Sequence, residues 1–345
     1  MRYVNLGASG LRVSRIALGM MTFGTPQWRA WVRPEEQALP VVRRALDAGI
    51  NVFDTADMYS AGMSEEITGR LLRTYAPRDE IVIATKLYYP VDPAFKGGNV
   101  PGPKPPLRPN LSGLSRKRIM AAVDASLRRL GVDHIDLYQI HRFDSHTPVE
   151  ETMTALHDVV KSGKVRYLGV SSMWAWQFAT MQFTAERLGL TRFVSMQNHY
   201  NLAYREEERE VIPYCRATGV GLMPWSPLAR GFLAGTRGRD DATRAASGDT
   251  SRAATDDIAQ SYYYREADFA VVDAVSALAR SRGVSNATVA YAWLLNQPGV
   301  SCPIVGASRP EQLDDALAAI DFALSPDEDA ALKAQYQPHP VLGHQ

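Results

Sequence analysis

The chain predicts a closed α/β barrel, with parallel strands inside, helices outside, a hairpin floor below and substrate loops above. Three observations carry this. Short β-branched runs alternate with longer amphipathic stretches nearly to the end of the 345 residues, the pattern of repeated strand–helix units. No GxGxxG and no GxxxxGK followed by Ser or Thr occurs after any such run, so the phosphate loops of open, doubly wound sheets are missing and closure is favoured. Ahead of the first barrel strand, 2–5 and 11–13 flank a turn at 7–10 and read as a hairpin covering the N-terminal mouth. Together these give a (β/α)8, or TIM, barrel forming one domain over residues 1–345.

The eight strands fall at 15–18, 51–55, 81–86, 135–140, 166–170, 193–197, 221–224 and 302–305. Helical periodicity falls at 34–48, 64–74, 115–130, 149–161, 174–188, 206–217, 267–282 and 310–320. Pro34 opens one helix, Gly49, Gly131 and Gly219 follow three others, and Ser64 with Glu66 resembles an N-terminal cap. Two segments look inserted after strand ends: 92–113, rich in Pro and Gly, and 235–257, rich in small and charged residues. A barrel keeps its chemistry at that end, so both are expected to cover a substrate.

Composition narrows the function. Apolar residues make up 46% and charged residues 22%, and 38 basic against 37 acidic side chains leave a net charge of +1, which offers nucleic acid or a membrane surface nothing to bind. The N-terminus has no basic segment followed by an apolar core, and no run approaches the roughly 18 apolar residues of a membrane span. Cys215 and Cys302 stand far apart in apolar surroundings, which implies neither a disulfide framework nor a metal site. A cytoplasmic protein acting on a small molecule is expected, as a monomer or a homo-oligomer.

Strands two, three and four deliver Asp54 and Tyr59, then Lys86, then His141, to the active end of such a barrel. These types together suit proton chemistry at a carbonyl. A tyrosine, with an ordinary pKa near 10, exchanges protons poorly at neutral pH unless a cation favours its anion. Lys86 supplies that cation, Asp54 compensates its burial, and His141 orients the carbonyl oxygen by a hydrogen bond.

The same stretches carry a family resemblance. GINVFDTADMYSAGMSEEITGRLL at 49–72 and VKSGKVRYLGVSS at 160–172 resemble the two signatures of the aldo-keto reductases. IVIATK ending in Lys86 and IDLYQIH ending in His141 resemble the family's other catalytic strands, and the likeness runs from Leu6 to about Ala319. It implies Tyr59 as general acid and base, Asp54 and Lys86 as its tuning pair, and His141 as the substrate-orienting group. It also implies NADPH or NADP+ as cofactor. Ser171, Ser172 and Gln197 then hold the nicotinamide carboxamide, Ser172 standing where the family usually has Asn, and Trp225 stacks on the ring. WSPLARGFLAG at 225–235, with Ser226, Leu228 and Arg230, resembles the pyrophosphate strap. GASRPEQLDDAL at 306–317 resembles the adenosine-phosphate motif, with Gly306, Ser308, Arg309, Gln312 and Asp315 in contact and Ala316 where relatives place Asn. Ser308 and Arg309 offer a hydroxyl, a guanidinium and free helix N-terminal amides to the 2′-phosphate, which favours NADPH over NADH.

HRFDSHTPVEE, VSMQNHYNLAYREEERE and PWSPLARG look most like a bacterial branch of aryl-alcohol dehydrogenase-like and sugar-phosphate-related reductases. Trp28, Trp31, Tyr88, Tyr89, Trp174 and Tyr200 are expected to wall the mouth for an aryl or cyclic carbonyl substrate. Two other readings stand beside this one: an NADPH-binding regulatory subunit without turnover, and a lyase using Lys86 as a Schiff base.

Overall fold

The computed structural model describes residues 1–98, 100, 104–106, 108–239 and 256–344. Most of the expected cover at 235–257 and five positions of 92–113 therefore lie outside the described residues. The described part of 92–113 packs against the mouth: Phe95 is buried with Trp28 and Trp31, and the Trp28 indole donates to the Phe95 carbonyl at 3.0 Å.

β1 (Tyr3–Asn5) and β2 (Arg12–Ser14) pair antiparallel. The barrel strands are β3 (Ala17–Gly19), β4 (Val52–Asp54), β5 (Val82–Leu87), β6 (Ile135–Ile140), β7 (Val165–Ser171), β8 (Phe193–Gln197), β9 (Gly221–Leu222) and β10 (Ile304–Val305). All eight are parallel and lie in one sheet, in sequence order from β3 to β9, with β10 beside β3. Hydrogen bonds from Ser301 N–H to the Leu222 carbonyl (2.9 Å) and from Ile304 N–H to the Pro224 carbonyl (2.8 Å) join the remaining edges and close the ring. Helices α1 (Glu35–Asp47), α2 (Met63–Tyr75), α3 (Arg116–Leu130), α4 (Val149–Lys161), α5 (Ala175–Arg187) and α6 (Val211–Thr218) follow the earlier strands. Glu266–Arg282 and Glu311–Ala319 complete the expected set, and among the described residues Asp257–Tyr262, Asn286–Leu295 and Pro326–Ala334 are α-helices beyond it.

Strand periodicity sorts the core into two layers. Val52, Val82, Ala84 and Leu137 fill the barrel with Cys302 and Ile304, while Phe53, Ile83, Tyr138 and Ile140 face the helices. Leu6 and Val13 of the hairpin are fully buried in the inner layer, so the floor is a packed plug. The same parity carries upward: Lys86 follows Val82 and Ala84 inward, and Gln139 and His141 follow Leu137. Both cysteines are free and buried.

Two local expectations are corrected. α2 is capped by Gly62 at φ 97°, a left-handed backbone that suits glycine, and not by Ser64. Ser64 lies inside the helix, accepts from the Thr55 hydroxyl and donates to the Met20 carbonyl, each at 2.9 Å, tying α2 to the barrel top. The stretch 206–217 is a single 3-10 turn at Glu206–Glu208 followed by α6.

α2 and α3 approach most closely at Gly69, where an added Cβ would lie 2.0 Å from the Leu130 carbonyl oxygen. Alanine is the better helix former by about 1 kcal/mol, yet here the clash with backbone prevails. Gly69→Ala is expected to lower the unfolding free energy by about 1–3 kcal/mol in urea titration, the usual cost of overpacking. An increase would show that the two helices part without cost.

Candidate active site

The inward side chains at the top of the barrel form one hydrogen-bonded cluster. Asp54 ends β4 and Lys86 lies near the end of β5; the lysine is fully buried and the aspartate 3% exposed. Lys86 Nζ donates to Asp54 Oδ2 at 2.5 Å, to the Thr55 carbonyl at 2.7 Å and to the Tyr59 hydroxyl at 3.4 Å. Asp54 Oδ1 accepts from Gln139 Nε2 at 3.0 Å and from Gln197 Nε2 at 2.9 Å. Burial alone would lower the Lys86 pKa, but the Asp54 carboxylate and then the Tyr59 phenol outweigh it and hold the ammonium above its ordinary range. A Schiff-base nucleophile needs the free amine, so this environment disfavours the lyase reading.

Tyr59 opens a 3-10 turn, Tyr59–Gly62, in which Ser60 and Ala61 adopt positive φ. That turn brings its ring to 6.1 Å from Trp28 and 5.8 Å from His141, edge to face with the imidazole. Burial first, then the charges of Lys86 and Arg142, push the His141 pKa well below its ordinary value, so the imidazole is neutral at physiological pH.

A cavity of about 470 Å³ opens on this cluster. Asp54, Tyr59, His141, Ser171, Gln197 and Trp225 line it, together with Trp28, Trp31 and Tyr89. It continues along Ser226, Leu228 and Arg230 to Gly306, Ser308, Arg309, Gln312 and Asp315. Most of the residues singled out from the sequence thus line one groove; Lys86 is fully buried and does not line it. Tyr88, Trp174 and Tyr200 do not line it. Tyr88 turns edge-on to Tyr89, Trp174 is 39% exposed and packs on His344, and Tyr200 is buried with its hydroxyl on Glu208. Ser172 is buried behind the groove, where its hydroxyl accepts from the Trp225 indole at 2.9 Å.

Trp225 is the end of a stacked column absent from the sequence reading. His199 lies between Tyr204 (4.0 Å, 10° between planes) and Trp225 (4.2 Å, 11°), and its Nε2 meets the Tyr263 hydroxyl at 2.5 Å. Burial foremost keeps this histidine neutral, its pKa well below the ordinary value. Along the strap Ser226, Ala229 and Arg230 adopt positive φ, an unusual backbone for residues with a Cβ. Arg230 Nε pairs with buried Asp256 at 2.7 Å, leaving its Nη2 buried without a partner among the described residues.

At the far end the amides expected to be free are not. Gln312 Oε1 accepts from Ser308 N–H at 2.7 Å, from the Ser308 hydroxyl at 3.2 Å and from Arg309 N–H at 3.3 Å. Asp315 accepts from the Ser285 hydroxyl at 2.6 Å. Among the described residues no group of His, Cys, Asp and Glu could hold a metal, and no helix is long and apolar enough to cross a membrane.

The family model described as aldo/keto reductase matches residues 15–337. The chain belongs to that family. Versiconal hemiacetal acetate reductase of Aspergillus parasiticus is 47% identical over 99% of this chain and 98% of its own length. A provisionally named aryl-alcohol dehydrogenase of Schizosaccharomyces pombe is 46% identical over 99% and 97%, and an aldo-keto reductase of Alternaria alternata 46% over 99% and 93%. This aldo-keto reductase is accordingly a carbonyl-reducing oxidoreductase.

The buried pair gives a direct stability test. Lys86→Met leaves the Asp54 carboxylate buried without its cation and is expected to cost about 3–5 kcal/mol of unfolding free energy. Adding Asp54→Asn to Lys86→Met should recover part of that loss, because the stranded charge is removed with it. Simple additivity of the two losses would mean that the charges do not depend on each other.

Proposed function

We propose that this aldo-keto reductase transfers hydride reversibly between NADPH and the carbonyl carbon of a small aryl or cyclic aldehyde or ketone, as a single cytoplasmic domain. The observation that carries the reading is Lys86 Nζ, paired with Asp54 and 3.4 Å from the Tyr59 hydroxyl, next to a groove that Asp54, Tyr59 and a neutral His141 line.

The residues present fit the cofactor. Gln197 commits its amide nitrogen to Asp54, which leaves its carbonyl oxygen to accept from a carboxamide. The orphan Nη2 of Arg230 suits a pyrophosphate oxygen. Ser171 and Gln197 would hold the nicotinamide end, with Ser172 acting through Trp225, whose outer face flanks the ring. Ser226, Leu228 and Arg230 would follow the pyrophosphate. Gly306, Ser308, Arg309, Gln312 and Asp315 would take the adenosine phosphate, Gln312 releasing the amides of Ser308 and Arg309 to it. NADPH, when bound, supplies the hydride that reaches the carbonyl carbon.

The chain's own residues manage the proton. The Tyr59 hydroxyl donates to the carbonyl oxygen as negative charge develops there, and Lys86 stabilises the phenolate left behind. Asp54 keeps that ammonium charged and fixed. His141, being neutral, hydrogen-bonds the carbonyl oxygen without adding a second cation. Trp28, Trp31 and Tyr89 provide an apolar wall for the rest of the substrate, and two free, buried thiols suit a reducing compartment.

Tyr59→Phe removes one oxygen atom and tests the assignment. Turnover should fall by about 10²–10⁴, the span of general acid–base contributions, while NADPH titrated against protein fluorescence binds nearly as before. Near-normal turnover would remove Tyr59 from the mechanism.

A further inference from the structure

Among the described residues, Lys86, Arg118 and Arg142 are the lysine and arginine residues buried as whole residues, and the first two each meet a carboxylate: Lys86 has Asp54, and Arg118 has Asp57 at 2.8 Å. Arg142 is 5% exposed and pairs with no carboxylate among the described residues. Its Nη1 donates to the carbonyl of its neighbour His141 at 2.5 Å, and its Nε is buried without a partner. A guanidinium withdrawn from water with no counter-ion is costly, so its place in the fold needs another reason.

The reason lies in what it faces. Arg142 follows His141 directly beyond the end of β6 and lines the same groove. Its guanidinium carbon is 5.8 Å from the Tyr89 ring, and the His141 imidazole is 5.1 Å from that same ring. The group proposed to hold the carbonyl oxygen and an uncompensated cation thus flank one tyrosine. A ligand seated against Tyr89 and Trp28 meets both. The positive potential there attracts an anion, and the planar fork of an arginine matches a carboxylate with two parallel hydrogen bonds.

We propose that Arg142 is a specificity residue: it recognises an oxyanion, a carboxylate foremost, carried by the carbonyl substrate a few bonds from the carbonyl carbon. This rests on the function proposed above and adds a charge requirement to it. The apolar wall selects a ring or chain, and Arg142 selects those that bear an acid. The Arg230 and Arg309 part of the groove is assigned to the cofactor's phosphates, whereas Arg142 adjoins the residue assigned to the carbonyl.

The test uses the full-length protein with saturating NADPH and the ortho, meta and para isomers of carboxybenzaldehyde, each beside its methyl ester. At least one acid should exceed its ester in kcat/KM by about tenfold or more, the scale of a hydrogen bond to a charged group. In Arg142→Met that ratio should collapse, mainly through KM, and Arg142→Lys should restore part of it. A binding arm needs no turnover: benzoate, but not benzamide, should perturb the fluorescence of Trp28 and Trp31 in the wild type and lose affinity in Arg142→Met. If no carbonyl is reduced but benzoate still binds through Arg142, the proposed reaction fails and the anion site stands. Equal handling of acid and ester together with equal binding of benzoate and benzamide overturns the proposal. So does an Arg142→Met protein whose acid-to-ester ratio is unchanged while its NADPH affinity falls, which would give Arg142 to the cofactor.

Discussion

A lysine ammonium held fully out of water at the top of the barrel is the constraint on which the rest of this site depends. Burying such an ion costs several kcal/mol even after relaxation. Asp54 offsets this cost at 2.5 Å, the Thr55 carbonyl at 2.7 Å assists, and the Tyr59 hydroxyl takes the third direction. Asp54 is then itself a buried charge, and its second oxygen takes hydrogen bonds from Gln139 and Gln197. Strands β4, β5, β6 and β8 are thereby tied at one level by a network with little freedom to rearrange. Because the Lys86 pKa is raised in the folded state, its contribution to stability is present below its ordinary value and throughout neutral pH. It is lost only in alkali, as the pH rises through the folded-state value.

Around this fixed centre the backbone is strained where it has to turn. Among the described residues nine non-glycine residues have positive φ, and seven of them (Ser60, Ala61, Tyr88, Ser172, Ser226, Ala229 and Arg230) lie in the loops that follow C-terminal strand ends. Each such conformation costs about 1–3 kcal/mol and persists only when its surroundings over-determine it. Here the surroundings are visible: Asn201 Nδ2 holds the Ser226 carbonyl at 3.0 Å, Asp256 holds Arg230, and the His199–Trp225 stack backs the strap. The same turns direct Tyr59, Trp225 and Arg230 toward one groove. Strain collects there because a short strand end must change direction sharply to present a side chain upward.

Much of this is legible in the sequence. The ends of three adjacent strands put Asp54, Lys86 and His141 together, and the long signatures pointed to Tyr59 and the groove residues. Gln139 was equally available, since it shares the parity of Leu137 and His141, but a glutamine inside a strand gives no chemical alarm by itself. Asn286–Leu295 escaped because it is buried along its length after Asn286 and so lacks the one-sided period that marks a surface helix. Pro326–Ala334 does carry a signal, the Ser325–Glu328 capping box, but it is short and lies beyond the last clear apolar period at 310–320. Tyr88, Trp174 and Tyr200 were misplaced because sequence puts an aromatic near a mouth without saying which way the ring turns. His199 and Arg142 were out of reach for a related reason: one matters through partners far along the chain, the other through a counter-ion it lacks.

Hydride transfer to the carbonyl carbon can be followed with a label. The protein is incubated with NADPH deuterated at the transferable position and with a carboxybenzaldehyde, and the product alcohol is examined by mass spectrometry and NMR. One deuterium on the carbinol carbon and one NADPH consumed are expected for each alcohol formed. NADPH consumed without deuterium in the product, or a carbonyl compound that becomes fixed to Lys86 on borohydride treatment, would contradict this.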